Sequence, residues 1–389
     1  MRMMNAALLT GPYDWDAELL PLPEFQQRLA QVRKVLAEQQ VAALLVHGNS
    51  LEYGALAWLT GFVPKLGPAF ALINIEDPIR LLISGSPSML PAAKRLTWID
   101  DVNAVGDLKS SLTDWLSQLR DAAGLSVGLW GDPLMTFRAN LAVRTAIQRF
   151  GRIVELHDRL QAVRLAKSPR ERELLRRACA ILTISHDAFL DAVRHGCGAR
   201  SAALAAERSA FQAGAQDVRI LASAKDGGAP VAFDGAVDPI RNPLIACIAV
   251  RFAGYWTEGF LTCGTNRGSL VRAQAALSAM LSHARADQTF SALRAIGERE
   301  ISPYRANRFI RVDELDSIGL GLDDVSGGGS RAGRDLKAGG VYTLCAGAAG
   351  EGSDSAIVSA VIAVDARNTE ILWPSVAGPS DAVSVRESQ

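Results

Sequence analysis

One cysteine, Cys345, occupies a position at which a thiol could do chemistry. It lies in the stretch LKAGGVYTLCAG, residues 336–347. Residues 341–344 are typical of a half-buried strand, and the small residues 346–347 end that strand. A thiol in this position either packs as a compact hydrophobic group or acts as a nucleophile beside a site. Residues elsewhere in the sequence are needed to decide between these two interpretations.

The histidines do not form a metal-binding pattern. None of the five is spaced four residues from another around an acid, and none accompanies a pair of cysteines. His47 ends a predicted buried strand over residues 41–48 and is therefore a candidate ligand contact. The chain also has no GxSxG segment, so a serine nucleophile elbow is not supported.

Composition narrows the class of protein. Lys plus Arg and Asp plus Glu each number 41 among 389 residues, and this balance does not favour a nucleic-acid partner. The five cysteines form no CxxC pair, which indicates free thiols in a reducing compartment, and we expect a cytoplasmic location. No apolar stretch approaches about 20 residues, so we expect no membrane partner.

The order of predicted elements indicates two domains. Strands and helices alternate up to about residue 157, which predicts an α/β domain over residues 1–163. Ser168, Pro169 and Glu171 then form a strong helix start, with Ser as the cap and Glu completing a capping box. A second domain is predicted over 164–378, with a tail at 379–389, and a helix over 269–299 lies within it. The Gly-rich stretch 318–330 lacks the Lys-Ser/Thr of a phosphate loop, so it predicts a turn rather than a nucleotide site.

The second domain resembles the creatinase, aminopeptidase P and prolidase superfamily. The segments that carry the resemblance, in order, are VRLAKSPRERELLRRA, GYWTEGFLT at 254–262, SIGLGLDD at 317–324, LKAGGVYTLCAG, and VIAVDARNTEIL at 361–372. The resemblance implies an α/β (α+β) chain, with an N-terminal creatinase-type domain followed by a pita-bread catalytic domain. It also implies a homodimer.

The resemblance further implies a set of metal-ligand positions, which this chain fills with unusual residues. The positions of the family's two aspartates fall on Cys247 and Glu258, and that of its histidine on Ile318. The positions of its two glutamates fall on Cys345 and near Val358. A dinuclear oxygen-rich site needs several carboxylates, and only one is present, so we expect no metal and no cofactor.

A metal-free branch of the family uses a histidine, but that mechanism does not carry over either. The corresponding position here falls on Pro230, and no histidine is near it in the sequence.

Three interpretations of the two cysteines then stay open. Small residues have filled a vacated metal site, or Cys345 is a nucleophile assisted by Glu258, or Cys247, Glu258 and Cys345 form a new mononuclear site.

For function, two hypotheses follow from the resemblance and the residues at its site. One is a metal-independent enzyme acting on a small polar substrate, by hydrolysis of a C–N bond or a related lyase or rearrangement reaction. Its catalytic residues would be Glu258 and Cys345. Its substrate-binding residues would be Phe233, Arg251, Tyr255, Trp256, Asp323, Cys247 and His47. Only one of Tyr255 and Trp256 can face the site, because adjacent strand residues alternate. The other hypothesis is a non-catalytic binding module.

Overall fold

The structure is a computed structural model, and it describes residues 15–119, 124–131, 135–223, 225–233, 238, 240–264, 268–306, 315–317, 319–320 and 335–374. The chain divides into two compact units, Met1–Arg164 and Leu165–Gln389. The division falls beside the boundary expected from the sequence. No helix within the described ranges is long and apolar enough to cross a membrane.

The first unit begins with helix α1 and alternates strands with helices. Its elements are α1 Leu22–Glu38, β1 Ala43–Gly48, α2 Gly54–Thr60, β2 Ala69–Asn74, β3 Arg80–Ser84, the short helix α3 Leu90–Ala93 between 3-10 turns Pro87–Met89 and Lys94–Leu96, β4 Val102–Val105, α4 Leu108–Ser117, β5 Leu125–Trp130, α5 Phe137–Gln148, β6 Gly151–Glu155 and α6 His157–Leu165.

One six-stranded sheet organises this unit, in the order β4-β3-β2-β1-β5-β6. Strand β2 runs antiparallel to both of its neighbours, and the other adjacent pairs are parallel. Strands β2 and β3 therefore form a hairpin. Helices α4 and α5 cover one face of the sheet, where their apolar residues share a core with the central strands. Because β1 and β2 are buried inside the sheet, their sequences are apolar at consecutive positions.

The second unit begins with the long helix whose start the sequence predicts. Its elements are α7 Pro169–Arg194, α8 Ala199–Gln212, β7 Asp217–Ser223, β8 Pro230–Val231, β9 Leu244–Phe252, β10 Tyr255–Cys263, α9 Gly268–His283, α10 Phe290–Ile301, β11 Arg305–Ala306, β12 Leu315–Ser317, β13 Val341–Ala349, β14 Ser355–Val364 and β15 Thr369–Trp373. The capping box is present, since Ser168 Oγ accepts from Glu171 N and Glu171 Oε2 accepts from Ser168 N.

Two sheets form the centre of the second unit. One has the order β10-β9-β7-β8, and the other runs β11-β13-β14-β15 with β12 also paired to β13. The sheets meet at β10 and β14, where Thr262 Oγ1 donates to Ile357 O at 2.8 Å and accepts from Ile357 N at 2.8 Å. Helices α9 and α10 pack on β13 and β14 through the apolar residues of the strands' even-numbered positions.

The single helix predicted over 269–299 is wrong, because the structure has two helices there. The residues between α9 and α10 turn away from helical geometry at Asp287, whose φ is 64°. Asp287 N donates to Leu336 O, and Leu336 N donates back to Gln288 O. Thr289 then caps α10 by accepting from Ala292 N. Backbone pairing with a distant segment replaces the helical hydrogen bonds at this break.

Candidate functional site

The strands β9 and β10 place four of the predicted site residues on one face. The antiparallel register pairs Trp256 with Arg251, Glu258 with Ala249, and Phe260 with Cys247. Because side chains alternate along a strand and paired residues share a side, these residues all point to the same side of the sheet. We call this side the Glu258 face, made up of Cys247, Arg251, Trp256, Glu258 and Phe260.

Tyr255 points to the opposite side. Its hydroxyl donates to Glu171 Oε1 at 3.0 Å, and the residue is 1% exposed. Glu171 also belongs to the capping box at the start of α7. Tyr255 therefore ties helix α7 to β10 and does not line the Glu258 face. Of the two aromatic residues that the sequence left open, Trp256 is the one on the face with Glu258.

Strands β13 and β14 place Cys345 on a second face. The register pairs Cys345 with Ser359 and Gly347 with Ile357, and Thr343 lies two residues before Cys345 on the same side. We call this side the Cys345 face, made up of Thr343, Cys345, Gly347, Ile357 and Ser359. The opposite side of these strands packs against α9 and α10.

The two faces meet at an apolar cluster. Ile245, Cys345 and Ile357 form it, and Phe260 packs against it. In addition, Phe260 N donates to Ser359 Oγ at 2.7 Å. Cys345 is 5% exposed in these apolar surroundings. This environment is the one expected for a thiol that fills space, so the packing interpretation of Cys345 is the one the structure favours.

Cys247 is the thiol that lies near the carboxylate. Burial raises the pKa of the Cys247 thiol well above its ordinary value, and the negative charge of Glu258 raises it further. A protonated thiol is a weak nucleophile. The Glu258 carboxylate, which is half-buried, thus shares its face with a neutral thiol rather than a thiolate.

The position expected for the second family glutamate lies near Val358, where Ser359 is the residue that shares a face with Cys345. Val358 pairs with Ala346 and packs into the core against α9 and α10. Ser359 is the residue directly across from Cys345. The two neighbours point to opposite sides, because each step along a strand moves a side chain to the other face. Neither of them is an acid.

These residues do not assemble into a metal centre. Among the described residues, which include Cys247, Glu258 and Cys345, no three His, Cys, Asp or Glu side chains lie where they could hold one ion. The interpretation of these three residues as a mononuclear site is therefore wrong. The donor set at the implied positions holds one carboxylate, two thiols and a hydroxyl, which does not fit a dinuclear oxygen-rich centre.

A charged cluster surrounds Trp256 at one end of the Glu258 face. The guanidinium carbon of Arg219 lies 4.5 Å from the indole centroid, and that of Arg251 lies 5.3 Å from it. Asp217 Oδ2 is 3.7 Å from a guanidinium nitrogen of each arginine. Arg251 is only 7% exposed, so its charge is held in a largely dry environment. The sequence singled out Arg251 but not its companions on β7.

Thr343 is a second residue that sequence reasoning missed. It is 1% exposed, and its Oγ1 has no hydrogen-bond partner within the described part of the chain. Strand alternation from Cys345 could have placed Thr343 on this face. Whether its hydroxyl has a hydrogen-bond partner, however, depends on residues distant in sequence.

Two of the remaining predicted site residues, Phe233 and His47, lie outside strands β9, β10, β13 and β14. Phe233 is 39% exposed just beyond β8. Asp323 and Ile318 lie outside the described residues, although Gly319 O accepts from Trp256 N at 2.7 Å.

His47 belongs to the first unit and lies in its sheet. It is 2% exposed, with Nδ1 2.8 Å from Gly131 O and its ring centroid 5.2 Å from that of Phe70. These contacts are those of a packed core histidine, and a ligand-binding role for His47 stays a prediction.

Comparison with known proteins identifies the fold. No protein-family model and no curated protein matches the sequence. Solved structures match over nearly the whole chain. The prolidase from Pyrococcus horikoshii OT3 has a TM-score of 0.72 at 16% identity, covering 89% of this chain and 97% of that chain. An Xaa-Pro dipeptidase from Bacillus anthracis has a TM-score of 0.72 at 14% identity, covering 92% and 99%. Zinc-substituted E. coli aminopeptidase P in complex with product has a TM-score of 0.68 at 16% identity, covering 94% and 96%.

The chain has the pita-bread fold. The fold expected from the resemblance is thus confirmed, with a mixed α/β architecture in both units. In this pita-bread protein, the Glu258 face and the Cys345 face belong to the two central sheets of the second unit.

Proposed function

We propose that the chain is an enzyme that acts on a small polar substrate, by hydrolysis of a C–N bond or a related lyase or rearrangement reaction. One observation carries this proposal. Along β9, β10, β13 and β14, the charged residues are Arg251 and Glu258, and both lie on the Glu258 face. The face thus combines a half-buried carboxylate, which can transfer protons, with a guanidinium, which can bind an anion.

Glu258 is the proposed general acid or base. It is half-buried, so a substrate can reach it, and it lies beside the neutral thiol of Cys247. A carboxylate in an apolar cleft is a common proton-transfer group because its surroundings adjust its proton affinity. Arg251 and Trp256 would position the substrate, the first through an anionic group and the second through a flat apolar surface.

The solved structures with the same fold support a hydrolase-like reaction. By their own descriptions they are a prolidase, an Xaa-Pro dipeptidase and an aminopeptidase P. The donor set of this chain does not fit a dinuclear metal centre, so no step of the proposed reaction is assigned to a metal. Metal independence is part of the proposal.

The Glu258→Gln variant tests the proposed role. Full-length protein is incubated with a panel of dipeptides, N-acyl amino acids and guanidino acids, and products are identified by mass spectrometry. For any compound that is turned over, the variant should lose about 10²–10⁴-fold in kcat/KM, since this is the usual contribution of general acid–base catalysis. The matched control is Glu351→Gln, because Glu351 is exposed and lies outside both faces. Full activity of Glu258→Gln would contradict the assignment of Glu258 as general acid or base.

A non-catalytic binding module is the second candidate function. The observation in its favour is the burial of Cys345 in an apolar cluster with Ile245 and Ile357. The same panel separates the two functions when thermal unfolding is followed alongside turnover. Stabilisation by a compound without any product supports the binding module, whereas product formation that depends on Glu258 supports the enzyme.

We also propose that the protein is a cytoplasmic homodimer. The described cysteines are free thiols, which fits a reducing compartment. The dimer rests on the family resemblance, and light scattering coupled to size-exclusion chromatography measures it directly. A mass near that of one 41.5 kDa chain would contradict the dimer.

A further inference from the structure

The first unit contains a cleft that is lined by its own residues alone. Its volume is about 710 Å³, which is within the usual range for small-molecule sites. It is lined by the C-terminal residues of β3 and β4, by the residue that precedes β2, and by the first turns of α4 and α5. The cleft therefore opens at the edge of the sheet where β3 and β4 end.

This edge is where open α/β sheets commonly bind ligands. In such sheets the crevice lies outside the carboxyl ends of the strands, at a point where the strand order changes direction. Here the strand order changes direction between β1 and β5, and the cleft lies on the same edge of the sheet, outside the carboxyl ends of β3 and β4. The helices that follow β4 and β5 are the two that border the cleft.

The floor of the cleft is apolar. Phe70 and Leu82 are cross-strand partners, and their side chains belong to the core beneath α4 and α5. Leu141 and Ala142 of α5 form part of the wall, and Leu141 is 55% exposed. Phe70 and Leu82 are 3% and 4% exposed, so Leu141 provides most of the accessible apolar surface of the cleft.

The rim of the cleft carries positive charge. Lys109 and Arg138 line it, and neither has an ion-pair partner within 4 Å among the described residues. The acid of the lining is Asp107, whose carboxylate caps α4 by accepting from Ser110 N at 3.0 Å and from Ser110 Oγ. These hydrogen bonds lower the pKa of Asp107, so it stays ionised and fixed to the helix. One carboxylate thus faces two cations.

From this combination we propose that the first unit contains a second binding site, for a small molecule with an apolar body and one anionic group. The body lies on Phe70 and Leu82, against Leu141 and Ala142, and the anion is bound by Lys109 and Arg138. A carboxylate and a phosphate ester share this chemistry. The proposal is independent of the function proposed for Glu258.

The test uses the full-length chain with three probes, 3-phenylpropionate, octanoate and AMP. Binding is measured by calorimetry, up to ligand concentrations of about 10 mM, and located by hydrogen exchange. We expect at least one probe to bind and to protect residues 68–84, 105–109 and 136–145. Tighter binding of 3-phenylpropionate or octanoate identifies a carboxylate as the preferred anionic group, whereas tighter binding of AMP identifies a phosphate ester. Failure of all three to bind, or protection confined to the second unit, would overturn the proposal.

Two variants separate charge from shape. Arg138→Ala should weaken binding at least about tenfold, since hydrogen bonds to charged groups contribute that much. The control is Arg144→Ala on the same helix, because Arg144 Nε donates to Asn140 Oδ1 and does not line the cleft. Ala142→Trp fills the cleft and should abolish binding while circular dichroism shows an intact fold. Unchanged affinity in Arg138→Ala or in a folded Ala142→Trp variant would contradict the site.

Discussion

At the scale of single residues, the sequence singled out Glu258 and Cys247 but missed what surrounds them. Strand alternation places Cys247 and Arg251, four residues apart on β9, on one side of that strand. The pairing between strands is not visible in sequence, so neither the shared face with Glu258 nor the pairing of Cys345 with Ser359 could be derived from it. The partnership of Arg251 with Arg219 and Asp217 depends on β7, which is distant in sequence.

Tyr255 is a structural residue, and removal of its hydroxyl tests this assignment. In Tyr255→Phe, the buried Glu171 carboxylate loses one donor, so the free energy of unfolding should fall by about 1–3 kcal/mol. Urea denaturation measures the change. Tyr304→Phe is the control, since the hydroxyl of Tyr304 has no hydrogen-bond partner among the described residues, and it should change the free energy by less than about 0.5 kcal/mol. Equal effects of the two variants would contradict the role of Tyr255.

At the scale of elements, local signals were predictable and long-range ones were not. The start of α7 follows from Ser168 and Glu171, which are neighbours in the chain. The start of α8 has no cap of its own, and the carboxylate of Asp238 accepts from Arg200 N and Ser201 N instead. The break between α9 and α10 likewise depends on Leu336. Partners supplied by distant segments cannot be inferred from helical periodicity.

The close approach of β10 to Trp373 gives a prediction about sheet packing. A Cβ on Gly259 would lie 2.4 Å from the Trp373 ring, which is buried and unable to move easily. Gly259→Ala should therefore lower the free energy of unfolding by about 1–3 kcal/mol, through overpacking. Gly106→Ala is the control, because a Cβ there meets no atom within 4 Å. Thermal or urea unfolding of both variants gives the comparison, and a neutral Gly259→Ala would show that β10 and Trp373 are not in contact.

At the scale of the whole molecule, the sequence predicted the fold from several short segments whose order agreed. Each segment is short, but together they led to the architecture that the solved structures share. The function was harder to predict from the sequence, because it depends on which side chains replace the usual metal ligands and on what those side chains contact. The apolar surroundings of Cys345 and the charged cluster at Trp256 are tertiary properties.

The buried thiols predict how stability depends on pH. Burial raises the pKa of Cys179 and of Cys263 to about 12, and that of Cys247 well above its ordinary value. A folded-state pKa above the unfolded one means that the folded state holds the proton longer. The stabilisation is complete below the unfolded thiol pKa of about 8.5 and is lost as pH rises above it, by up to about 1.4 kcal/mol per pH unit for each thiol.

Urea denaturation between pH 7 and pH 10 measures this dependence. The Cys179→Ala variant removes one buried thiol, so its free energy of unfolding should fall less steeply with pH. Thiol labelling provides a check, because half-buried Cys197 should react well before the four buried cysteines. Stability that stays constant to pH 10, or equal labelling rates, would contradict the burial of these thiols.

The most direct test of the proposed chemistry is elemental analysis of the purified protein, prepared without a chelating tag and without added metal. The positions implied by the resemblance hold Cys247, Glu258, Cys345 and Ser359, which lack the carboxylates of a dinuclear centre. We therefore predict well below one equivalent of any transition metal per chain, together with turnover that a chelator does not change. Two ions per chain, or activity that is lost with the chelator and restored by metal, would contradict the account.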